Sequence, residues 1–352
     1  MKIFDHPLYK EDLRYVASLN LPWDKLAERT LLLSGGTGLI GSFLVDVLML
    51  KNEQDSLNCK VIAIGRNLDR AKDRFAGCWE SQCFEFVRCD INEGFDGRSF
   101  SRTDYVIHLA SNTHPVAYAT EPVSTIMTNV IGTRNMLELA RRSGAKRFAF
   151  ASSNEVYGEN RGDAELFDEK YSGYIDSNTL RAGYPESKRC GETLCQAYAR
   201  QYGMDVVIPR FTRSYGPTLL PSDTKALSQF LRNGLAGENI VLKSEGNQYY
   251  SYTYEADAVA GLLTVLLKGE CGEAYNIADE PSDIRLKDLA RTIADICGTE
   301  VVFELPDEVE RAGFSKATKA RLDGSKLKRL GWSMRYDIPA GVERTITVLK
   351  DE

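Results

Sequence analysis

The stretch Thr30-Leu-Leu-Leu-Ser-Gly-Gly-Thr-Gly-Leu-Ile-Gly41 decides the fold. Leu31 to Leu33 are apolar at every position, as in a strand buried on both faces of a parallel sheet. Gly35, Gly38 and Gly41 follow at regular spacing. In such a strand–turn–helix the first glycine makes the tight turn, the second lets a pyrophosphate approach the backbone, and the third lets helix and strand pack closely. The helix start offers free N–H groups and a positive dipole end to phosphate, with Thr37, Leu39 and Ile40 completing the cradle. A glycine triplet alone is common in turns. Its place between an apolar strand and the amphipathic run Phe43–Leu50 predicts a dinucleotide-binding unit.

Outward from there, Lys60–Arg66 reads as a second strand ending Gly65-Arg66-Asn67. An acidic residue at this place would take the ribose hydroxyls of NAD, whereas a guanidinium suits a 2′-phosphate. The expected cofactor is therefore NAD(P), with a preference for NADP; the plainer alternative has Arg66 stacked on adenine or facing water. Phe84–Ile91 is a third strand that puts Asp90 and Ile91 beside the adenine. Asp104–Ala110 is a fourth, with Leu109, Ala110 and Ser111 at its ligand end, and His108 within it reads as a core residue. A helix spans about Glu121 to Ser143, with Asn129 in its middle and Gly144 as its stop, and Lys146–Ser153 is strand five. The alternation predicts an α/β fold, a doubly wound parallel sheet of Rossmann type. Residues 1–29 read as a helical extension and 30–209 as the cofactor domain. Residues 210–352 read as a smaller mixed α/β substrate region, some of which returns to the first domain. There Asp257 is expected to cap a helix Ala258–Leu267. The alternation of Tyr249, Tyr250, Tyr252 and Tyr254 sends at least two of them to the core.

The chain has 352 residues, 43% hydrophobic and 27% charged, with a net charge of −6 and no long basic run. That argues against nucleic acid or an anionic membrane as main partner. No apolar run approaches a membrane span, and Met1-Lys-Ile-Phe-Asp-His-Pro is too polar for a signal peptide. Eight scattered cysteines, without histidines near the close pairs Cys78/Cys83 and Cys190/Cys195, read as reduced thiols of a cytoplasmic protein that holds no metal. Three histidines, His6, His108 and His114, leave little room for histidine catalysis.

A second constellation follows strand five, in Ser152-Ser153-Asn154-Glu155-Val156-Tyr157-Gly158 and Tyr184-Pro-Glu-Ser-Lys188. Tyr184 and Lys188, four apart on a helix, share a face. An ammonium beside a phenol favours the phenolate. Such a tyrosine can take the proton of a sugar hydroxyl while the carbon gives hydride to nicotinamide. Ser153 would hydrogen-bond the same oxygen. The spacing alone is common on helix surfaces; in this order after a glycine fingerprint it is informative.

Here the chain resembles the extended short-chain dehydrogenases/reductases that modify nucleotide sugars. The likeness covers nearly everything after residue 29. It rests on Gly35-x-x-Gly38-x-x-Gly41, Asp90-Ile91, His108-Leu-Ala110, Asn129-Val-x-Gly-Thr133, Ser152-Ser153, Tyr157-Gly158, Tyr184-x-x-x-Lys188, Arg210 and Tyr215-Gly-Pro217. It implies a catalytic trio of Ser153, Tyr184 and Lys188, with Asn129, Tyr184 and Lys188 also at the cofactor. It implies a nicotinamide used and regenerated within one turnover, and a nucleotide-diphosphate sugar oxidised at C4, ready for epimerisation, dehydration or decarboxylation. A homodimer through the helices of Asn129 and Tyr184 is also implied. Glu155 is the candidate for proton chemistry at C5; the plainer reading makes it a buried acceptor that positions its loop. The 4,6-dehydratases of this family carry an acidic pair where this chain has Asn154-Glu155. The UDP-glucuronate decarboxylases carry a neutral residue before Glu, and Arg181–Arg189 with Glu192–Tyr198 looks most like theirs.

The substrate side, with Thr113 and Asn154, departs from the pattern at two places. Relatives have Asn where Arg213 stands, and a diphosphate-binding Arg where Tyr250 stands. We expect Arg213 to take over that contact by a charge-assisted bond; the plainer alternative has Arg213 in a salt bridge and a ligand that is not an ordinary nucleotide diphosphosugar. Two rival functions remain at this stage, an NADPH-dependent reductase of a nucleotide-linked sugar and a non-catalytic dinucleotide sensor. The intact trio speaks against the sensor.

Overall fold

β1 (Thr30–Ser34) lies between two parallel neighbours, β2 (Lys60–Gly65) and β4 (Tyr105–His108). The computed structural model describes residues 2–95, 100, 102–113, 115–304, 306–308 and 318–352; His114 lies outside them. β3 (Phe84–Arg88) extends the sheet beyond β2. On the other side follow β5 (Arg147–Phe150), β7 (Val206–Phe211) and β11 (Ala274–Ile277), all parallel, with the short β6 (Ser152–Ser153) also on β7. The strand order β11-β7-β5-β4-β1-β2-β3 reverses between β1 and β4. The topological switch point is there, and a crevice opens at the strands' carboxyl ends.

Three of the expected strands stop early. The ladders of β3 and β4 end at Arg88 and His108, not at Ile91 and Ala110, because the following residues turn into loops over the crevice. Strand five breaks at Ala151, whose carbonyl leaves the ladder and accepts from the Lys188 ammonium at 2.8 Å.

The helix after the glycines, α2 (Leu39–Asp55), is not amphipathic as expected. Phe43, Leu44, Val45, Val47 and Leu48 point round most of its circumference, yet all are fully buried. Its outer side is roofed by α1 (Pro7–Ala17) and α9 (Glu255–Lys268). The Tyr9 ring stands edge-on to Phe43 at 5.4 Å, and its hydroxyl joins Asp46 and Arg74. Burial of each such side chain contributes about 1.5–3 kcal/mol. The amino-terminal extension is thus part of the core.

The long helix expected over Glu121–Ser143 is continuous but not uniform. α5 (Pro122–Met127) and α6 (Thr133–Ser143) are joined by one π turn, Thr128–Gly132, which carries Asn129. π turns insert a residue and often mark functional sites.

In the carboxyl-terminal half, β10 (Tyr249–Tyr254) pairs with β8 (Arg213–Tyr215), β12 (Asp283–Arg285) and β14 (Lys319–Ala320). Tyr250, Tyr252 and Tyr254 are all buried. Asp257 does not cap its helix. α9 begins earlier, at Glu255, and Asp257 lies buried in its first turn. It accepts from the Tyr15 hydroxyl at 3.0 Å and from the backbone N–H groups of Arg335 and Tyr336 at 2.9 Å each. It ties the amino-terminal and carboxyl-terminal segments together. Among the described residues, no helix is long and apolar enough to cross a membrane.

Candidate active site

The crevice is a cavity of about 760 Å³ running from the glycine turn to the small sheet around β10. Its first half fits a dinucleotide. Gly35 has φ +74°, and a Cβ there would meet the Ala110 nitrogen at 2.8 Å. A Cβ on Gly41 would collide with the carbonyl of Gly35, so helix and turn touch through it. Gly38 faces open space apart from Gly35 O at 3.3 Å, and α2 starts there without a side-chain cap. Its first N–H groups are therefore available to a phosphate. Thr37, Leu39, Ile40, Asp90, Ile91 and Arg66 line this half with Leu109, Ala110 and Ser111. Arg66 is exposed. Beside it stands Arg70, which sequence reasoning missed although it lies one helical turn further on; its Nη2 donates to Thr37 O at 2.7 Å.

Asn129 is not on the wall of the cavity. The π turn buries it completely behind Ser111, whose hydroxyl donates to Asn129 Oδ1 at 2.7 Å. Its Nδ2 donates to Ser187 Oγ at 2.9 Å, on the helix of Tyr184. It links two parts of the site. His108 is likewise internal, between Ser34 at 2.7 Å and Thr133 at 3.1 Å. Burial, followed by Lys188, pushes its pKa down to about 3, so it stays neutral.

Ser153, Glu155, Tyr184 and Lys188 meet on one wall, with Thr113 and Asn154 nearby. Ser153 ends β6 and accepts the Glu155 N–H at 3.2 Å. Tyr184 and Lys188 lie on α7 (Gly183–Tyr202), as the spacing predicts. The Lys188 ammonium turns to Ala151 O and lies 6.0 Å from the Tyr184 ring centre. Burial lowers its pKa to about 7, against the raising influence of Glu192 and Cys195. Burial also pushes the Tyr184 phenol up, and the Glu155 carboxylate adds to this. Ser153, Arg181 and Tyr118 act in the opposite direction.

Glu155 is held. Arg181 Nη2 donates to both of its oxygens at 2.6 Å, and both side chains are mostly buried. Deeper in the wall, Glu192 accepts from Ser152 at 2.5 Å and from Arg210 at 2.7 and 2.8 Å, fixing β6 to α7 and β7.

At the far end the two exchanged residues touch. The Arg213 guanidinium lies 3.5 Å above the Tyr250 ring centre. Its Nη1 is buried and has no hydrogen-bond partner among the described residues. No salt bridge of Arg213 is found among the described residues.

The family model of the NAD dependent epimerase/dehydratase family matches residues 31–278. The chain is similar to UDP-glucuronic acid decarboxylase 6 of Arabidopsis thaliana, 34% identical over 89% of this chain and 86% of that protein. It is 31% identical to UDP-glucuronic acid decarboxylase 1 of Xenopus tropicalis, over 92% and 73% of the two chains. Among solved structures, the dTDP-glucose 4,6-dehydratase of Streptomyces venezuelae with NAD bound superposes with a TM-score of 0.77. It is 26% identical, and the match covers 92% of this chain and 97% of that one. With this fold, this glycine turn and this Ser-Tyr-Lys wall, the chain is an enzyme that belongs to the NAD dependent epimerase/dehydratase family.

Proposed function

We propose that the enzyme oxidises C4 of a nucleotide-diphosphate uronic acid and then releases its carboxyl group as CO2. The observation that carries this is the meeting of Ser153, Tyr184 and Glu155 on one wall of a cavity that runs from the dinucleotide cradle to Arg213. Likeness to the decarboxylases and the neutral Asn154 beside Glu155 favour loss of CO2 over loss of water.

When bound, the nicotinamide supplies a hydride acceptor and, later in the same turnover, the donor. The chain's own residues do the rest. Ser153 hydrogen-bonds the C4 oxygen and Tyr184 takes its proton. The 4-ketone so formed is β to the carboxylate, and as CO2 leaves, the C5–C6 bonding pair moves onto the C4 oxygen. Ser153 and the protonated Tyr184 stabilise that oxyanion. C5 then takes a proton from solvent in place of the lost carboxyl group, with Glu155 as its carrier. Tyr184 gives its proton back to the C4 oxygen as the ketone is reduced. Arg213 holds the diphosphate.

Arg66 and Arg70 at the ribose end support NADP over NAD. They also favour a second reading, net reduction of the sugar by NADPH. Exposed Val123 and Met127 on α5 and Leu180 just before α7, two helices packed on each other, support a homodimer through that face. Eight free cysteines are in keeping with the cytoplasm.

The test is incubation with UDP-, dTDP-, GDP- and CDP-linked sugars and uronic acids, with NAD or NADP, read by mass. A product lighter by one CO2, with nicotinamide absorbance flat over many turnovers, is expected. A product lighter by one water, or of unchanged mass but altered stereochemistry, would replace this reading by dehydration or epimerisation. Stoichiometric consumption of NADPH would replace it by reduction. Tight cofactor binding without any turnover would leave a sensing role.

A further inference from the structure

Glu155 faces a second space besides the crevice. Behind it lies a smaller cavity of about 60 Å³, open to the surface. Asn154, Glu155, Arg181 and Arg213 line both spaces and form the partition between them. The partition is held firmly. Arg181 Nη2 donates to both Glu155 oxygens, and its guanidinium lies 4.7 Å from the ring centre of Tyr118, on α4 (Pro115–Thr120). That ring stacks on Tyr184, with centres 4.7 Å apart and planes at 29°.

The outer wall of the small cavity is tied down as well. Glu159 N donates to Tyr174 O at 2.9 Å and Gly173 N to Tyr157 O at 2.7 Å. Arg189 donates to Val156 O at 2.7 Å and to Gly173 O at 3.0 Å. Glu159, Asp176 and Thr179 bring polar groups to the lining, and the exposed Tyr174 stands at the rim. At about 30 Å³ for each water, the space admits about two.

We propose that this side cavity is the route by which solvent protons reach Glu155 during turnover. The proposal rests on the reading of Glu155 as the proton carrier to C5 in a decarboxylation. The balance of that reaction requires such a supply. The C5–C6 bond breaks, CO2 leaves as a neutral molecule, and the bonding pair ends in a new C5–H bond, so every turnover consumes a proton from water. Tyr184 does not provide it, because the proton it takes from the C4 hydroxyl returns to the same oxygen when the ketone is reduced. The proton therefore enters from outside while the sugar nucleotide fills the crevice. Glu155 lines the crevice on one side and the side cavity on the other, so water in that cavity recharges it without the ligand leaving.

Thr179 and Ala320 line the side cavity but not the crevice, and they lie on separate segments, one just before α7 and one on β14. Thr179→Leu and Ala320→Leu each add bulk to that space. The test gives the cofactor-loaded enzyme the nucleotide-linked uronic acid on which the mass panel shows loss of CO2, and follows the first turnover by rapid quench. CO2 should leave at the wild-type rate. The finished sugar should appear up to about 100-fold more slowly, the lower end of what a positioned proton donor contributes. Bound nicotinamide should stay reduced in the interval, and the ratio of rates in water and D2O should grow. Product at the wild-type rate in both variants, without that accumulation, overturns the proposal. So does a slower release of CO2 itself, which marks a distorted site and not a lack of protons. Wild-type enzyme that releases no CO2 from any uronic acid removes the decarboxylase reading, and this proposal with it, before any variant is made.

Discussion

Arg213 Nη1 is a buried donor on a charged group without an acceptor among the described residues. Leaving such a group unsatisfied costs about 1–3 kcal/mol or more. Its stack on Tyr250 steadies the guanidinium without answering that nitrogen. An anionic substrate group would. Arg213→Ala is therefore expected to raise KM for the sugar nucleotide about 10- to 100-fold, the worth of a charge-assisted hydrogen bond, with a much smaller effect on kcat. Steady-state kinetics on the substrate found by the mass panel decide it, and an unchanged KM removes the diphosphate contact from the account. At this scale the sequence was a good guide where chemistry comes with fixed spacing. Ser153, Tyr184 and Lys188 are brought together as their motif implies. It was silent on Tyr118 and on the direction of the Lys188 ammonium. Both are set by which group happens to face them across the fold.

Among the elements, α9 carries the most heavily loaded carboxylate. Glu255 is fully buried; its Oε2 accepts from Thr218 Oγ1 at 2.5 Å and Thr218 N at 3.1 Å, and Oε1 has no partner among the described residues. The Thr218 hydroxyl also reaches Leu39 O at 2.9 Å, joining α9 to the start of α2. Burial raises the pKa of Glu255 from the ordinary 4.5 to about 8. Between those values the native state keeps a proton that the unfolded chain releases. The native state binds more protons, so stability falls as pH rises through that window and levels off above it. Asp257 and Asp283, each raised to about 6 by burial, act in the same direction lower down. Glu255→Gln should flatten the fall of Tm between about pH 6 and 8. A wild-type slope in that variant would assign the effect elsewhere. Strand β1 and the glycine turn could be read from sequence because their residues permit little else. The environment of α2 could not, since its apolar residues do not say which neighbours will cover them.

On the scale of the whole molecule, the first helix is held by the last. Asp12 is fully buried on α1 and accepts from Arg344 at 2.7 Å on the helix Ile338–Lys350, and from the Tyr254 hydroxyl at 2.7 Å. The Arg344 side chain is itself only 13% exposed. Removing Asp12 leaves the buried Tyr254 hydroxyl without its acceptor and Arg344 with only the half-exposed Glu11 at 3.3 Å, at a cost of about 1–3 kcal/mol. Asp12→Ala should lose about that much in chemical denaturation, with cofactor affinity unaltered in the folded fraction. A loss below about 1 kcal/mol would mean that the two ends are joined by packing alone. By itself the sequence determined the parallel sheet, the glycine turn at its switch point and the three side chains, Ser153, Tyr184 and Lys188, that meet on one wall of the cavity. These follow from local rules, namely apolar runs, glycines that tolerate no Cβ, and a four-residue helical period. Only the tertiary structure decided that the amino-terminal helix roofs the core, that Asn129 works from behind the wall, and that Arg181, Tyr118 and Tyr184 form one stack. Those contacts join residues far apart in the chain, and burial and charge act between them through space, where no local pattern records them.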